Sequence, residues 1–220
     1  MSRFLRNNGL TLAMLGVFLI FLAAQSATGY RSYNSDQEEH GESTVGYGKY
    51  LTSGHFAEAT FENWESEFFQ MAAYVFLTVF LFQRGSSESK DPDKDEAVDE
   101  DPRQKANDPN APWPVRQGGV VLSIYKNSLS LAFLLLFLVS LLLHASGGAR
   151  EYSQEQLAHG GEPVSTVEFM ETAEFWFQSF QNWQSEFLAV AAIAFLSIYL
   201  RQQGSPESKP VAAPHSQTGD

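Results

Sequence analysis

Two acid–histidine pairs occupy matching places in the chain, at a spacing that can bind a metal ion. Asp36 precedes His40 by four residues, and Glu155 precedes His159 by four. On a helix, residues at this spacing share one face, where an acid and an imidazole can hold a metal together. The four side chains, drawn from two loops, would suit zinc or a similar ion. The alternative is that both histidines are solvated beside ordinary surface acids.

A second candidate site is an eight-residue segment, F-x-N-W-x-S-E-F, that occurs at 61–68 and again at 180–187. Read as a helix, each copy places an amide, a hydroxyl and a carboxyl on one face and aromatic rings on another. The polar face comprises Asn63, Ser66, Glu67, Asn182, Ser185 and Glu186. We expect it at the outer edge of a membrane, with Trp64 and Trp183 as interface anchors. The carboxylates either line a shared polar site or act as ion-pair and capping groups, and we favour the second interpretation.

Two arginines are candidate partners for those carboxylates. Arg31 and Arg150 each follow the first helix of a predicted hairpin, and Glu67 and Glu186 begin the second helix. A buried or half-buried Arg–Glu ion pair that closes each hairpin is the interpretation that we favour. In the alternative, the carboxylates stay unpaired and shift their pKa values in a low-dielectric setting, as a proton or cation relay would need.

The elements that position these residues belong to a unit that the chain contains twice. The second half repeats the first at a constant offset of 119 residues, as Trp64 and Trp183 illustrate. The apolar runs of the two halves lie at 10–24, 68–82, 129–143 and 187–200. With their polar flanks, these runs reach the roughly 20 residues that a helix needs to cross hydrocarbon. The pattern predicts an all-α membrane protein with four transmembrane helices, arranged as two tandemly duplicated helical hairpins.

Residues at the ends of the apolar runs refine this prediction. The first run also resembles a secretory signal peptide, but its counterpart lies mid-chain, which argues against cleavage. Gly29 and Gly148 are predicted helix stops. Ser165 and Glu168 have the spacing of a capping box, which predicts an interfacial helical segment in the outer loop. The glycine-rich counterpart at 46–54 is expected to be looser.

The charge distribution assigns the loops to the two sides of a membrane. The net charge is −12, and the absence of cysteine excludes disulfides. Most Lys and Arg residues lie at the N-terminus, in the linker between the repeats or in the C-terminal tail, which places these parts in the cytoplasm. The acidic loops within 25–67 and 144–186 then face outward. No stretch resembles a basic nucleic-acid surface.

These assignments divide the chain into four segments. The two hairpin repeats span 1–90 and 120–203. Residues 91–119 form an acidic cytoplasmic linker, and residues 204–220 form a C-terminal tail. Both segments are too polar to build a core and are predicted to be disordered.

The apolar centres of the predicted spans limit the chemistry that one chain can perform. They consist of Leu, Phe, Ala and Val, so a continuous polar pathway through a monomer is hard to draw. No nucleophile elbow, phosphate-binding loop, dinucleotide glycine motif or zinc-protease helix is present in the sequence. A hydrolase would depend on the two acid–histidine pairs alone, and the sequence does not favour an enzyme.

The paired N-W-x-S-E-F segments, the turns G-Y-R-S-Y and G-A-R-E-Y, and the duplication resemble an uncharacterised family of small bacterial four-helix integral membrane proteins. This resemblance implies a multi-pass protein of the bacterial cytoplasmic (inner) membrane and brings no activity or cofactor with it. We expect a structural or interaction role in the cell envelope, with the lipid bilayer and further copies of the chain as partners. The alternative is an oligomeric cation channel or transporter, or a metal-binding protein, that uses the acidic outer face.

Overall fold

The computed structural model describes residues 3–219. They form helices, turns and loops without a strand in the described part of the chain, which confirms the all-α prediction. The α-helices are α1 (Arg3–Asn7), α2 (Gly9–Glu39), α3 (Tyr47–Tyr50), α4 (Gly54–Leu77), α5 (Trp113–Gln117), α6 (Gly119–Tyr125), α7 (Ser128–Ala158), α8 (Thr166–Met170) and α9 (Ala173–Leu196). Two 3₁₀ turns, Ala97–Asp99 and Pro102–Lys105, lie between α4 and α5.

Two helices, not the four predicted, are long and apolar enough to cross a membrane by length and composition. These helices are α2 and α7, each of 31 residues. The other two predicted spans lie in α4 and α9, where acidic and amide side chains such as Glu65 interrupt the apolar sequence. Both helices also end before the predicted limits at 82 and 200, at Leu77 and Leu196.

The helix bounds of the two halves follow the sequence offset. Helix α2 and its counterpart α7 both contain 31 residues, and α4 and its counterpart α9 both contain 24. The second helix of each pair begins 119 residues after the first, and the same offset relates α3 and α8. The glycine-rich loop that was expected to be looser thus forms a helical turn, α3, like its counterpart.

Gly29 and Gly148 do not stop their helices, so that prediction is wrong. Both lie inside helices that continue for ten more residues, to Glu39 and Ala158. A Cβ atom at Gly29 would collide with the hydroxyl of Tyr50, and one at Gly148 would lie 2.6 Å from Cζ of Phe169. The glycines are therefore needed for the close approach of a ring from the following loop.

The capping box at the start of α8 is confirmed. The Glu168 backbone N–H donates to Oγ of Ser165 at 3.2 Å, and the Ser165 backbone N–H donates to Oε2 of Glu168 at 2.6 Å. These bonds with Ser165 lower the pKa of the Glu168 carboxyl. The helix ends after one turn, however, and its Phe169 is fully buried beside Phe175 rather than turned to a membrane interface.

Contacts within the chain define two compact units, and each draws on both repeats. The first contains the residues up to Phe61 together with Leu143–Phe175, and the second contains Glu62–Leu142 together with the chain from Trp176 onward. In the second unit, the linker contains turns, the two 3₁₀ elements and α5, and the tail consists of hydrogen-bonded turns in which Nζ of Lys209 donates to the Gln217 carbonyl at 2.9 Å. The predicted disorder of these two segments stays a prediction.

Within the first unit, α4 contacts α7 through glycine residues. A Cβ atom at Gly54 would lie 2.8 Å from the Gly147 carbonyl oxygen, and one at Gly147 would lie 2.6 Å from the Glu58 backbone nitrogen. Glycine at both positions lets the two helix backbones touch. This crossing brings the beginning of α4 beside the last third of α7, where several site residues lie.

Candidate functional site

The first unit contains a cavity of about 300 Å³ that gathers both acid–histidine pairs. Its lining residues are Tyr33, Asp36, Gln37, His40, Glu42, Glu151, Gln154, Glu155, Ala158 and His159. They come from the ends of α2 and α7 and from the residues just after each of these helices. Four of them carry carboxyl groups and two carry imidazoles, whereas this lining set contains no lysine or arginine. The cavity is therefore suited to a cation.

The two histidines adopt the same local arrangement. Nδ1 of His40 lies 2.8 Å from the Asp36 carbonyl oxygen, and Nδ1 of His159 lies 2.8 Å from the Glu155 carbonyl oxygen. Because a carbonyl only accepts, Nδ1 must carry the proton and donate it. In the neutral ring this leaves Nε2 as the unprotonated nitrogen, the form that accepts a hydrogen bond or binds a metal.

The structure brings Asp36, His40, Glu155 and His159 to one cavity but not into a ligand cluster. Within residues 3–219, no group of three or more His, Asp or Glu side chains is placed to hold a metal ion. The i, i+4 spacing puts each acid near its own histidine, but the turn that ends each helix directs the ring to a backbone carbonyl. Metal binding by these residues stays a prediction, as does a hydrolase that would use them.

Beside this cavity lies an aromatic cluster that the sequence did not single out. The rings of Tyr33 and Tyr50 are 5.7 Å apart, and the His55 ring is 5.3 Å from that of Tyr33. Burial lowers the pKa of His55, and the nearby Asp36 carboxylate opposes this shift. The enclosed Nδ1 of His55 and Oε2 of Glu151 have no hydrogen-bond partner among the described residues. His55 could not be found from the repeat, because Glu174 occupies the matching position.

The two arginines also lie in the first unit. Arg150 donates from Nε to the Ser146 carbonyl at 3.2 Å and from Nη1 to the Thr52 carbonyl at 3.4 Å. Arg31 is exposed on α2. Their expected partners, Glu67 and Glu186, belong to the second unit. The Arg–Glu pairs that would close the hairpins therefore stay a prediction.

In the second unit, the predicted polar face of α4 is divided between the interior and the surface. Ser66 is buried and donates from Oγ to the Asn63 carbonyl at 2.7 Å, while Asn63 and Glu67 are exposed. In the second copy, Oγ of Ser185 donates to the Asn182 carbonyl at 2.8 Å. Glu186 is half-buried. Each hydroxyl is thus satisfied within its own helix, which weakens the case for a shared site built from these groups.

The buried carboxylate of the motif is Glu65, which the sequence did not single out. Its side chain has 0% exposure, and Oε1 accepts a hydrogen bond from Nε1 of Trp183 at 3.1 Å. The Trp183 ring is half-buried and packs on Phe69, with 4.6 Å between ring centroids. Trp183 therefore joins α9 to α4 through its indole N–H. Glu65 was missed because it occupies one of the two variable positions of the motif, with Gln184 as its exposed counterpart.

The fold and these sites define an all-helical protein in which two helices are long and apolar enough to span a membrane. The chain belongs to the family described as a domain of unknown function (DUF6766), which matches it over residues 1–220. This confirms the expected membership of an uncharacterised family. No curated protein and no solved structure matches the chain.

Replacement of Glu65 by Leu tests the bond to Trp183. Leu and Glu have similar helix propensities, but Leu leaves the indole N–H without its acceptor, so we expect a loss of about 1–3 kcal/mol in the free energy of unfolding. The matched control is Gln184→Leu at the exposed counterpart, which should change the stability by less than about 0.5 kcal/mol. Denaturation of the purified protein in mild detergent measures both values. Equal effects of the two substitutions would contradict the assignment.

Proposed function

We propose that this chain is an integral protein of the bacterial cytoplasmic membrane, with four spans in two hairpins, that has a structural or interaction role in the cell envelope. The observation that carries the proposal is the equal length of corresponding helices in the two halves. If α2 and α7 each cross the bilayer and are followed by similar loops, then α4 and α9 each cross back to the side from which the hairpin began. The positions of Lys and Arg favour cytoplasmic termini.

Helix lengths support this arrangement. A helix of 24 residues, such as α4 or α9, is about 36 Å long, and hydrocarbon is about 30 Å thick. Helices α2 and α7, at 31 residues, are about 46 Å long and extend beyond the hydrocarbon. Their polar last thirds, which line the cavity, would then lie outside the membrane. Most of the acidic residues of α4 lie in its first half, toward the same side.

The surface of α2 supports an interaction role rather than catalysis. Large apolar side chains cover its first half and are exposed; Ile20, for example, is 67% exposed. Lipid or a second protein must cover this surface. In the second unit, polar groups such as Glu65 and Ser86 are satisfied by internal bonds to Trp183 and Ser197, which favours a sealed helix bundle over a polar pathway.

A second candidate function is cation handling at the outer face, and the cavity is the observation that favours it. Its carboxylates are unopposed by lysine or arginine within the lining. At about 300 Å³ it is larger than a single ion needs, and it would admit a hydrated or organic cation.

Photo-crosslinking in living cells tests the interaction role. A benzophenone amino acid at Ile20 or Phe21, both exposed on α2, should give adducts with a second copy of the chain or with another envelope protein. The same group at Val98, exposed in the linker, is the control for nonspecific capture. The size of each adduct on a denaturing gel is the readout. Monomers alone at both α2 positions would contradict the interaction role.

Cation-dependent thermal stability tests the second candidate. A ligand that binds only the native state raises its stability, so Ca²⁺ or spermidine should raise the melting temperature of the purified protein. Asp36→Asn combined with Glu155→Gln should remove most of this shift. Glu38→Gln combined with Glu39→Gln, at neighbouring acids outside the lining, is the matched control. Identical shifts in the two double variants would rule out cation binding in the cavity.

A further inference from the structure

A short helical segment, W-P-V-R-Q-G-G-V-V-L-S-I-Y-K, stands immediately before the apolar helix α7. It contains α5 and α6, separated by Gly118. Gly118 and Gly119 have φ values of 68° and 57°, a left-handed conformation that permits the sharp change of direction between the two helices. The segment lies within the second compact unit.

The two sides of this segment differ in burial. Val115 and Leu122 point inward and are buried. In α5, Trp113 is 59% exposed, and in α6 the side opposite Leu122 carries Val120, which is 76% exposed, and Ile124, which is exposed as well. Rings and aliphatic side chains on the open side of a short helix suit the headgroup level of a bilayer, where tryptophan is enriched.

The charge of the segment also favours a position at the bilayer surface. Between Asp108 and Glu151 the chain contains no acidic residue, whereas Arg116 and Lys126 flank the exposed apolar side chains. This is a positive stretch in a chain with a net charge of −12. Anionic lipids of the cytoplasmic leaflet attract such basic residues when they lie close to the membrane surface.

The junction with α7 places the segment beside the proposed span. Asn127 donates from Nδ2 to the Ser123 carbonyl at 2.8 Å, and α7 begins at the next residue. The first repeat has the same junction, where Nδ2 of Asn8 donates to the Phe4 carbonyl at 3.0 Å before α2 begins. In both repeats a short helix is therefore followed by an asparagine and then by a long apolar helix.

We propose that residues 113–126 are an interfacial anchor that binds the anionic lipid headgroups of the cytoplasmic leaflet. The exposed apolar side chains enter the headgroup region, and Arg116 and Lys126 contact the phosphates. This inference rests on the proposed membrane orientation, because it requires that α7 crosses the bilayer from the cytoplasmic side.

Spin-label accessibility in the full-length protein tests the anchor. The chain contains no cysteine, so Val120→Cys, Ile124→Cys, Val98→Cys and Leu135→Cys each provide one labelling site. The protein is placed in nanodiscs of phosphatidylcholine, with or without phosphatidylglycerol. Accessibility to oxygen, which concentrates in hydrocarbon, is compared with accessibility to a water-soluble nickel complex. Labels at 120 and 124 should move from water-like toward lipid-like values when phosphatidylglycerol is present.

The other labels separate failure of the anchor from failure of the membrane proposal. Val98, in the linker, should stay water-like, and Leu135, in the apolar part of α7, should be lipid-like in both lipids. If 120 and 124 behave like 98 while 135 is lipid-like, the anchor alone is overturned. If the label at position 135 is also water-like, both the membrane proposal and the anchor proposal are contradicted.

The basic residues are tested in the same system. The double variant Arg116→Gln and Lys126→Gln should lose the response to phosphatidylglycerol, because each basic residue near an anionic surface contributes about a fivefold preference for it. A response that is unchanged in this variant, or lipid-like labels that are indifferent to phosphatidylglycerol, would overturn the assignment to anionic lipid.

Discussion

The contact of an aromatic ring with a helical glycine is the interaction on which the rest of the first unit depends. Tyr50 lies against Gly29, and Phe169 lies against Gly148. Both rings are almost fully buried, and each comes from the short helical turn that follows a long helix. The contact fixes the connecting loop to its own helix, so the chain can turn back beside that helix at the start of α4 or α9.

This fixed loop has a consequence for the candidate site. Because the glycines are inside the helices, α2 and α7 continue for ten residues beyond them and carry polar side chains away from the apolar segment. These extensions supply Asp36 and Glu155 to the cavity, and His40 and His159 follow directly after the two helix ends. A cavity rich in carboxylates thus results from two equivalent helix ends, and the loss of either ring contact should disturb it.

The sequence predicts the elements whose signals are local. Two of the four predicted apolar spans and the Ser165–Glu168 capping box depend on neighbouring residues, and these elements are found in the structure. Contacts between residues that are far apart in the sequence cannot be predicted from such local patterns. The sequence around Gly148 resembles a helix stop. In the structure, glycine is needed at this position because the Phe169 ring packs against the helix there. Glu65 is buried because Trp183, far along the chain, provides a donor.

The central claim is that the two halves are equivalent hairpins inserted in the same orientation. Labelling of single cysteines in intact cells with a membrane-impermeant maleimide tests it most directly. Ser43→Cys and Glu162→Cys, at equivalent exposed loop positions, should both be labelled from outside. Val98→Cys and Val211→Cys should be labelled only after the membrane is permeabilised. Labelling of positions 43 and 162 from opposite sides would contradict the account.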